Sequence, residues 1–244
     1  MMRIIELTKK YGDRKVLSNI SFDILPGDFI GLIGPNGVGK TTLIGCICGT
    51  VKPDSGDIIL NNKSLLKYPS ETKHKIGVSF QEPIIDRFFS IFDTLKFVAM
   101  YNGLTYSNAK NRAEEIISLL KLHEFKYLCG DKLSGGTKKR LQIAMAMVHN
   151  PKILFLDEPS AGVDIEMRED IYSILKDLTK SSNQKSFVLT SHYFEDVKNL
   201  CNRIIFIKDG EVKKDIRKTD IDFTKGDYLY EMYKSTFPTG KQDA

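Results

Sequence analysis

The sequence FIGLIGPNGVGKTTLIGCICG, residues 29–49, decides the fold, because it reads as a strand, a loop and a helix in succession. Residues 29–33 are apolar on both faces, which is typical of a strand covered on both sides. Residues 34–41 then fit the pattern G-x-x-x-x-G-K-[ST], and residues 42–49 continue as a helix. This order predicts a loop at the end of a buried strand that wraps the phosphates of a nucleotide.

The chemistry of this loop depends on three kinds of group. Its glycines let backbone N–H groups face inward, and the helix behind them adds the positive end of its dipole. Lys40 supplies a mobile cation for the β- and γ-phosphates, and Thr41 offers a hydroxyl to Mg²⁺. The structural alternative is a glycine turn that happens to precede a lysine, and the flanking strand and helix argue against it.

Outward from the loop, strand-like runs alternate with helical ones, and this alternation predicts an α/β chain. Between residues 93 and 150 the apolar spacing changes to three and four residues, which predicts a helical insertion into the sheet domain. Asp164 is predicted to cap a helix over residues 165–179. The predicted strands are FIGLIG (29–34), KIGVSF (75–80), KILFLD (152–157), SFVLTS (186–191) and RIIFIK (203–208).

Two adjacent carboxylates, Asp157 and Glu158, follow the apolar run at residues 153–156. An acidic pair at the end of a buried strand is costly unless something charged meets it. Mg²⁺ beside Asp157 and a water polarised by Glu158 would satisfy this requirement. The alternative is a strand end capped by solvated acids.

A second helix N-terminus suited to an anion is predicted in LSGGTKKR, residues 133–140. Ser134 can cap this helix, and Gly135 and Gly136 expose backbone N–H groups in front of its dipole. It lacks the lysine of the phosphate loop, so we expect it to meet a different nucleotide, held by a second copy of the chain. A capped helix with a basic first turn is the alternative.

Length and composition exclude several classes of protein. The 244 residues carry 36 Lys and Arg against 31 Asp and Glu, and this mild, interleaved charge of +5 is not a nucleic-acid signature. No apolar run approaches the roughly 18 residues of a membrane span, and the start lacks a secretory apolar stretch. The chain is therefore expected to stay inside the cell. Its cysteines form no C-x-x-C pair, so we expect free thiols at Cys46, Cys48, Cys129 and Cys201.

These motifs together resemble the nucleotide-binding subunit of the ABC transporters, over about residues 2–215. The phosphate loop resembles Walker A, and Asp157 with Glu158 resembles Walker B and its catalytic glutamate. Residues 160–164 resemble the D-loop, and Thr137 stands where the commonest family signature has glutamine, keeping a hydroxyl but losing reach. The nucleotide-binding positions that the resemblance implies are Tyr11 (adenine), Gly34, Pro35, Asn36, Gly37, Val38, Gly39, Lys40, Thr41, Thr42 and the signature residues Ser134, Gly135 and Gly136.

The resemblance also assigns roles in hydrolysis. It implies that Gln81 is the Q-loop glutamine, which ends a strand and senses Mg²⁺ and the membrane partner, and that His192 is the switch histidine. The catalytic set is therefore Glu158, His192, Lys40 and Gln81, and the metal set is Thr41, Gln81 and Asp157. ATP and Mg²⁺ are the ligands that it implies.

The fold implied by the resemblance is a P-loop NTPase (RecA-like) core with an N-terminal antiparallel β part and an inserted helical subdomain. The expected core spans residues 1–81 and 151–215, the helical subdomain residues 82–150 and the tail residues 216–244. The end of the tail, FPTGKQDA, is expected to fray.

The family implies a sandwich of two nucleotide-binding subunits, identical or not, at the cytoplasmic face of the membrane beside an integral-membrane permease. Residues 99–105 and the sequence after the signature look most like the drug, lipid and polysaccharide exporter branch. A soluble ABC ATPase that assembles or remodels a protein complex, for example in iron–sulfur cluster assembly, remains the alternative. A nucleic-acid-acting relative and a non-catalytic sensor are disfavoured, the sensor because Glu158 is present.

The segment EPIIDRFFSIFDTL, residues 82–95, is rich in large apolar side chains. Part of it is predicted to form a groove for a short helix of the membrane partner, with Phe88, Phe89, Ile91 and Phe92 as candidates. The alternative is that these side chains form the internal core of the helical insertion.

Overall fold

The structure is a computed structural model that describes residues 1–181, 185–191, 194–220 and 228–237. The chain forms two compact units. The first consists of residues 1–72 and 188–244, and the second of residues 73–187. The boundaries of these units differ from those of the core, helical subdomain and tail expected from the sequence. That expected division stays a prediction.

The first unit begins with an antiparallel sheet in the order β2-β1-β4-β5. Alternate residues such as Met2 and Ile4 are buried, so one face of the sheet packs on the core. Irregular pairing between Ile4 and Lys9 bends β1 and increases its local twist. The four strands are β1 (Met2–Tyr11), β2 (Arg14–Ile24), β4 (Ser55–Leu60) and β5 (Lys63–Ser64).

A second group of strands in the first unit carries the phosphate loop. Strand β3 (Phe29–Ile33) pairs in parallel with β9 (Arg203–Lys208), which pairs antiparallel with β10 (Glu211–Arg217). On its other side β3 lies beside β8 (Ser186–Thr190), and all five residues of β3 are buried. The helices of this unit are α1 (Lys40–Cys48), α2 (Pro69–Thr72), α7 (Phe194–Leu200) and α8 (Tyr228–Thr236).

The second unit places parallel strands β6 (Ile76–Ser79) and β7 (Ile153–Asp157) side by side. Between them the chain is helical, as predicted, because apolar side chains recur at three- and four-residue spacing and Ser or Thr caps each helix. Ser90, Thr105 and Ser134 accept the capping hydrogen bonds. The helices are α3 (Ile91–Tyr101), α4 (Tyr106–Leu119), α5 (Gly135–Met147) and, after β7, α6 (Ile165–Ser181).

Several predicted boundaries are wrong by one or two residues. Helix α1 begins at Lys40 rather than at residue 42, because Gly39 turns the chain directly into it. Strand β6 ends at Ser79, so Gln81 lies in a loop and does not end the strand. The backbone carbonyl of Gln81 accepts a hydrogen bond from the Lys139 ammonium.

The C-terminal part of the chain is more ordered than its composition suggests. Within the first unit, aromatic residues of helix α8 and the residue after it pack together, and the ring centres of Tyr233 and Phe237 lie 4.5 Å apart. Phe237 is buried and its ring centre lies 6.2 Å from that of Phe206. The expected fraying is therefore wrong at Phe237, and residues 238–244 lie outside the described part of the chain.

All four cysteines are free thiols, as predicted. Cys46 and Cys201 are buried, whereas Cys48 and Cys129 are half-buried. Burial raises the pKa of the Cys46 thiol to about 11, and it also raises the pKa of Cys201. Both buried thiols therefore stay protonated near neutral pH and serve as packing groups.

A buried ion-pair cluster stabilises the β9–β10 hairpin, and Arg203→Ala tests it. Arg203 donates to Asp215 (Nε–Oδ1 2.7 Å) and to the buried Asp28 (Nη1–Oδ2 2.9 Å). Removing it takes the buried cation away from Asp28, which keeps its ion pair with the more exposed Arg217, so urea unfolding should show a loss toward the lower end of about 3–5 kcal/mol. Lys213→Ala, which removes the exposed pair with Glu211, is the control and should leave the unfolding midpoint unchanged. Equal midpoints for both variants would contradict this account.

Candidate functional site

The phosphate loop follows β3 and enters α1 through glycines in the left-handed region. Gly37 has φ 75° and Gly39 has φ 108°. A Cβ at Gly39 would also lie 2.8 Å from the Val16 carbonyl oxygen, so backbone conformation and space both require glycine there. Since Gly39 is the N-cap and has no side chain, the first turn of α1 presents its N–H groups to the loop.

Lys40 is the first residue of α1 and is buried. Its ammonium folds back over the loop, 2.6 Å from the Gly34 carbonyl oxygen and 2.9 Å from that of Pro35. Gly34 is packed tightly, because a Cβ there would lie 2.4 Å from the Ile207 carbonyl oxygen. The loop therefore holds a positive charge within its own curve, where a phosphate group would meet it.

Tyr11 stands at the end of β1, where a short turn containing Gly12 leads into β2. Its side chain is 51% exposed, and the Lys9 ammonium lies 5.3 Å from its ring centre. Arg14, just after the turn, donates to the Gly37 carbonyl (Nη2–O 3.2 Å). This hydrogen bond connects the hairpin that carries Tyr11 to the phosphate loop.

A cavity of about 560 Å³ borders the same loop inside the first unit. Residues 35–38 line it together with residues 14–16 of β2 and residues 208–210 of the β9–β10 turn. Tyr233 and Phe237 of the C-terminal region complete the lining. The predicted positions Pro35, Asn36, Gly37 and Val38 therefore lie together on one cavity wall.

In the second unit, β7 ends at Asp157, which is buried with 2% of its surface exposed. The next residue, Glu158, has φ 48°, a conformation that an L-residue rarely adopts. Such strain persists only where the surrounding structure imposes it, and it is common at functional sites. The two predicted carboxylates are thus adjacent, with Asp157 buried in the core and Glu158 half-buried at the start of the following loop.

The side chain of Gln81 reaches Glu158, with its Nε2 3.1 Å from Oε2. Helix α5 holds the backbone of the same loop at two points: Lys139 donates to the Gln81 carbonyl, and Gln142 donates to the Glu82 carbonyl at 3.0 Å. Burial lowers the pKa of the Lys139 ammonium, whereas the nearby carboxylates act in the opposite direction. The structure therefore brings Gln81 and Glu158 together within one unit.

Ser134 caps α5, accepting from the Thr137 backbone N–H at 3.2 Å. The Thr137 hydroxyl lies 2.9 Å from Ser134 Oγ, and Thr137 is 1% exposed. Its side chain is therefore used within the helix turn. Gly135 is exposed, whereas Gly136 packs so closely that a Cβ would lie 2.1 Å from Met167 Cγ.

The segment expected to form the D-loop leads directly into α6. Asp164 accepts from the Met167 backbone N–H at 2.8 Å, as the predicted N-cap should. Ser160 Oγ lies 3.1 Å from the Tyr172 hydroxyl, which also accepts from Arg168 Nε at 2.7 Å. His192, the predicted switch histidine, lies outside the described residues.

Two functional candidates were missed by sequence reasoning, Lys139 and Arg14. The sequence shows Lys139 only as part of a basic first turn, and no local pattern reveals that its ammonium binds the Gln81 carbonyl. Arg14 follows the predicted aromatic position by three residues, and that proximity was a usable signal. The sequence lacked a way to tell which cation of the surrounding Lys and Arg residues meets the loop.

The aromatic segment that follows the Gln81 loop divides between surface and core. Ile84 and Phe88 are 80% and 72% exposed, whereas Ile91 is fully buried. Phe89 is 45% exposed and meets Phe97 edge-on at 5.1 Å. Each of the two sequence interpretations therefore describes part of the segment. Among the residues described, no helix is both long enough and apolar enough to cross a bilayer.

A glycine-rich loop that encloses a lysine, an acidic strand end and a serine-capped, glycine-led helix define a P-loop ATPase with a helical insertion. Comparison with known proteins identifies the family. The profile of the family "ABC transporter" matches residues 17–161, more than half of the chain. The chain belongs to the ABC transporter family and is an ATPase of the ABC type.

Three similar proteins with named roles align with most of this chain. The linearmycin resistance ATP-binding protein LnrL of Bacillus subtilis is 36% identical over 91% of this chain and 70% of its own length. The Nod factor export ATP-binding protein I of Burkholderia thailandensis is 32% identical over 93% of this chain and 75% of its own length. The spermidine/putrescine import ATP-binding protein PotA of Pasteurella multocida is 32% identical over 87% of this chain and 58% of its own length. These names favour transport over complex assembly and include both directions of transport.

A solved structure of an ATP-binding cassette has the same fold as this chain. The ATP-binding cassette MJ0796, solved as a dimer in a post-hydrolysis state with ADP and Pi, superposes with a TM-score of 0.79 at 26% identity. The match covers 89% of this chain and 98% of MJ0796. The predicted fold, a P-loop NTPase core with an antiparallel β part and inserted helices, is confirmed.

Proposed function

We propose that this chain is the ATP-hydrolysing subunit of a transporter that moves its cargo outward through a separate membrane-spanning partner. Two copies, or this chain and a related subunit, enclose two ATP molecules between them. The phosphate loop of one subunit holds each triphosphate, and the Ser134 end of α5 in the other subunit completes its binding. The export direction rests on the branch resemblance and on the similarity to the Nod factor export protein.

The observation that carries the proposal is the pair of helix starts suited to an anion, of which only the first has the lysine of a phosphate loop, folded back over its own loop. Lys40 is buried against the loop of the first end, whereas Ser134 and Gly135 at the second end are exposed. An exposed, dipole-bearing helix start is suited to an anion that another molecule presents. The dimeric MJ0796 structure supports this arrangement as a comparison.

The residues proposed for Mg–ATP offer oxygen donors alone, which suits Mg²⁺. Thr41, Gln81 and Asp157 would contribute hydroxyl, amide and carboxylate oxygen, and the buried position of Asp157 suits it to a cation. The bound ion would neutralise negative charge on the β- and γ-phosphates. The remaining loop residues and Thr42 orient the triphosphate through backbone N–H groups and hydroxyls, and Tyr11 stacks on the adenine.

Hydrolysis is assigned to Glu158, which orients water and accepts its proton. The Gln81 amide, 3.1 Å from Glu158 Oε2, holds the carboxylate in place, and the strained backbone at Glu158 fixes its direction. Lys40 stabilises developing negative charge, and His192 contacts the γ-phosphate as it departs. Loss of that phosphate removes the ligand that joins the two subunits, so they separate.

Coupling of ATP hydrolysis to transport requires a surface to which a membrane protein can bind. The exposed side chains of Ile84 and Phe88 directly follow the Gln81 loop, and we assign this patch to a short helix of the permease. The chain would thereby lie at the cytoplasmic face of the membrane. An exposed aromatic side chain is a typical anchor for a helix in a groove.

Phe88→Ser tests the transport assignment. It should abolish co-purification of a polytopic membrane protein with the tagged chain, while ATP hydrolysis by the purified chain stays within about twofold, because an exposed anchor affects binding alone. Tyr101→Ser is the matched control, since Tyr101 is also an aromatic residue and is 92% exposed. Co-purification that persists with Phe88→Ser would exclude this patch, and a chain that never retains a membrane protein would contradict transport.

A further inference from the structure

Helix α5 carries two side chains that donate hydrogen bonds to the loop after β6. Lys139 and Gln142 are both buried and lie three residues apart, so they project from the same side of the helix. They donate to adjacent backbone carbonyls, those of Gln81 and Glu82. The loop that carries Gln81 is therefore fastened to α5 through its backbone, which leaves the side chain of Gln81 to reach Glu158.

The bond from Lys139 is the stronger of the two, because an ionised donor forms a shorter and stronger hydrogen bond than a neutral amide. The ammonium also lies in the electrostatic field of the Glu82, Glu158 and Asp157 carboxylates. Without it, the Gln81 carbonyl would lose a charged donor in a part-buried place. Lys139 therefore acts on the position of the loop, and its hydrogen-bonded path to Glu158 runs through Gln81.

Ser134 begins the helix whose second turn contains Lys139. A helix moves as a rigid rod over such a short distance, so a displacement at its capped end reaches the Lys139 contact. We propose that Lys139 is a positioning residue: it fixes the Gln81 loop so that the Gln81 amide holds Glu158, and it thereby connects the signature end of α5 to the carboxylate that activates water. This inference rests on the proposed role of Glu158.

The test is a double-mutant cycle on ATP hydrolysis by the purified chain. Lys139→Gln should lower kcat about 10- to 100-fold while the KM for ATP changes by less than about threefold, because the phosphate loop is untouched. On a Gln81→Ala background, which is itself slow, the same change should lower kcat by less than about threefold, since Lys139 acts through Gln81. Lys110→Gln, which removes an exposed lysine from α4, is the charge-matched control and should keep full activity.

Lys139→Met, which keeps the length of the apolar stem, replaces Lys139→Gln if the latter fails to fold, as judged by thermal unfolding. Full losses on both backgrounds would mean that Lys139 acts independently of Gln81 and would overturn the inference. Wild-type kcat in Lys139→Gln or Lys139→Met would overturn it as well. Either result would leave the proposed function standing if Glu158→Gln still blocks turnover, so the two failures can be told apart.

Discussion

Glu158→Gln is expected to stop ATP turnover while ATP remains bound, so that an ATP-dependent dimer accumulates. Glutamine has nearly the same shape, and its oxygen can still accept the hydrogen bond from Gln81. It cannot take a proton from water, so kcat should fall roughly 10²- to 10⁴-fold. The phosphate loop lies elsewhere in the chain and keeps its affinity for ATP. Phosphate release measures the first effect, and sedimentation with and without ATP measures the second.

Glu124→Gln is the matched control for this variant. Glu124 is an exposed carboxylate between α4 and α5, far along the chain from both Gln81 and Glu158. It should hydrolyse ATP like the unmodified chain and form no long-lived dimer. Undiminished turnover in Glu158→Gln would refute the role of this carboxylate. A variant that binds ATP yet stays monomeric would refute the sandwich.

The phosphate loop and the acidic strand end were predictable because their chemistry is local. Glycine at residue 39, lysine at residue 40 and the apolar strand before them are neighbours in sequence, so spacing alone places them. The contact of Lys139 was not predictable, because its hydrogen-bond acceptor is the carbonyl of Gln81, 58 residues away in the sequence. Long-range contacts of this kind depend on packing that no local pattern encodes.

Thr137 shows how a local pattern can place a residue but miss its contact. The sequence predicts a hydroxyl with shortened reach toward a second subunit, and the structure turns that hydroxyl to Ser134 of its own helix. An N-cap serine lies close to the residue three positions later, so the short side chain finds a partner within the turn. In the proposed sandwich, the helix start would therefore reach the second nucleotide through Ser134 and the exposed Gly135.

The C-terminal helix was also readable in principle. Tyr230, Tyr233 and Phe237 recur at three- and four-residue spacing, which is typical of one face of a helix. The polar end FPTGKQDA concealed this signal, because such an end favours the prediction of fraying. Packing of Phe237 on Phe206 shows that the aromatic spacing outweighed this polar composition.

Lys40→Ala should abolish tight ATP binding. In the structure the ammonium is enclosed by the Gly34 and Pro35 carbonyls at 2.6 and 2.9 Å, and it provides the positive charge of the loop. Removing a charged hydrogen-bond donor from such a place should weaken ATP binding by about 10- to 100-fold. Because a bound ligand stabilises the folded state, the rise in Tm caused by ATP should shrink markedly at ATP concentrations about tenfold above the Kd of the unmodified chain.

Two further variants make this result specific to the geometry of the site. Lys40→Arg keeps the charge, but a planar guanidinium does not fit a buried pocket shaped around a compact ammonium, so its ATP-dependent rise in Tm should also shrink. Lys52→Ala, at an exposed lysine shortly after α1, should retain it. If Lys40→Arg bound ATP normally, charge alone would account for binding. If Lys40→Ala did so, the loop between β3 and α1 would not be the site of the triphosphate.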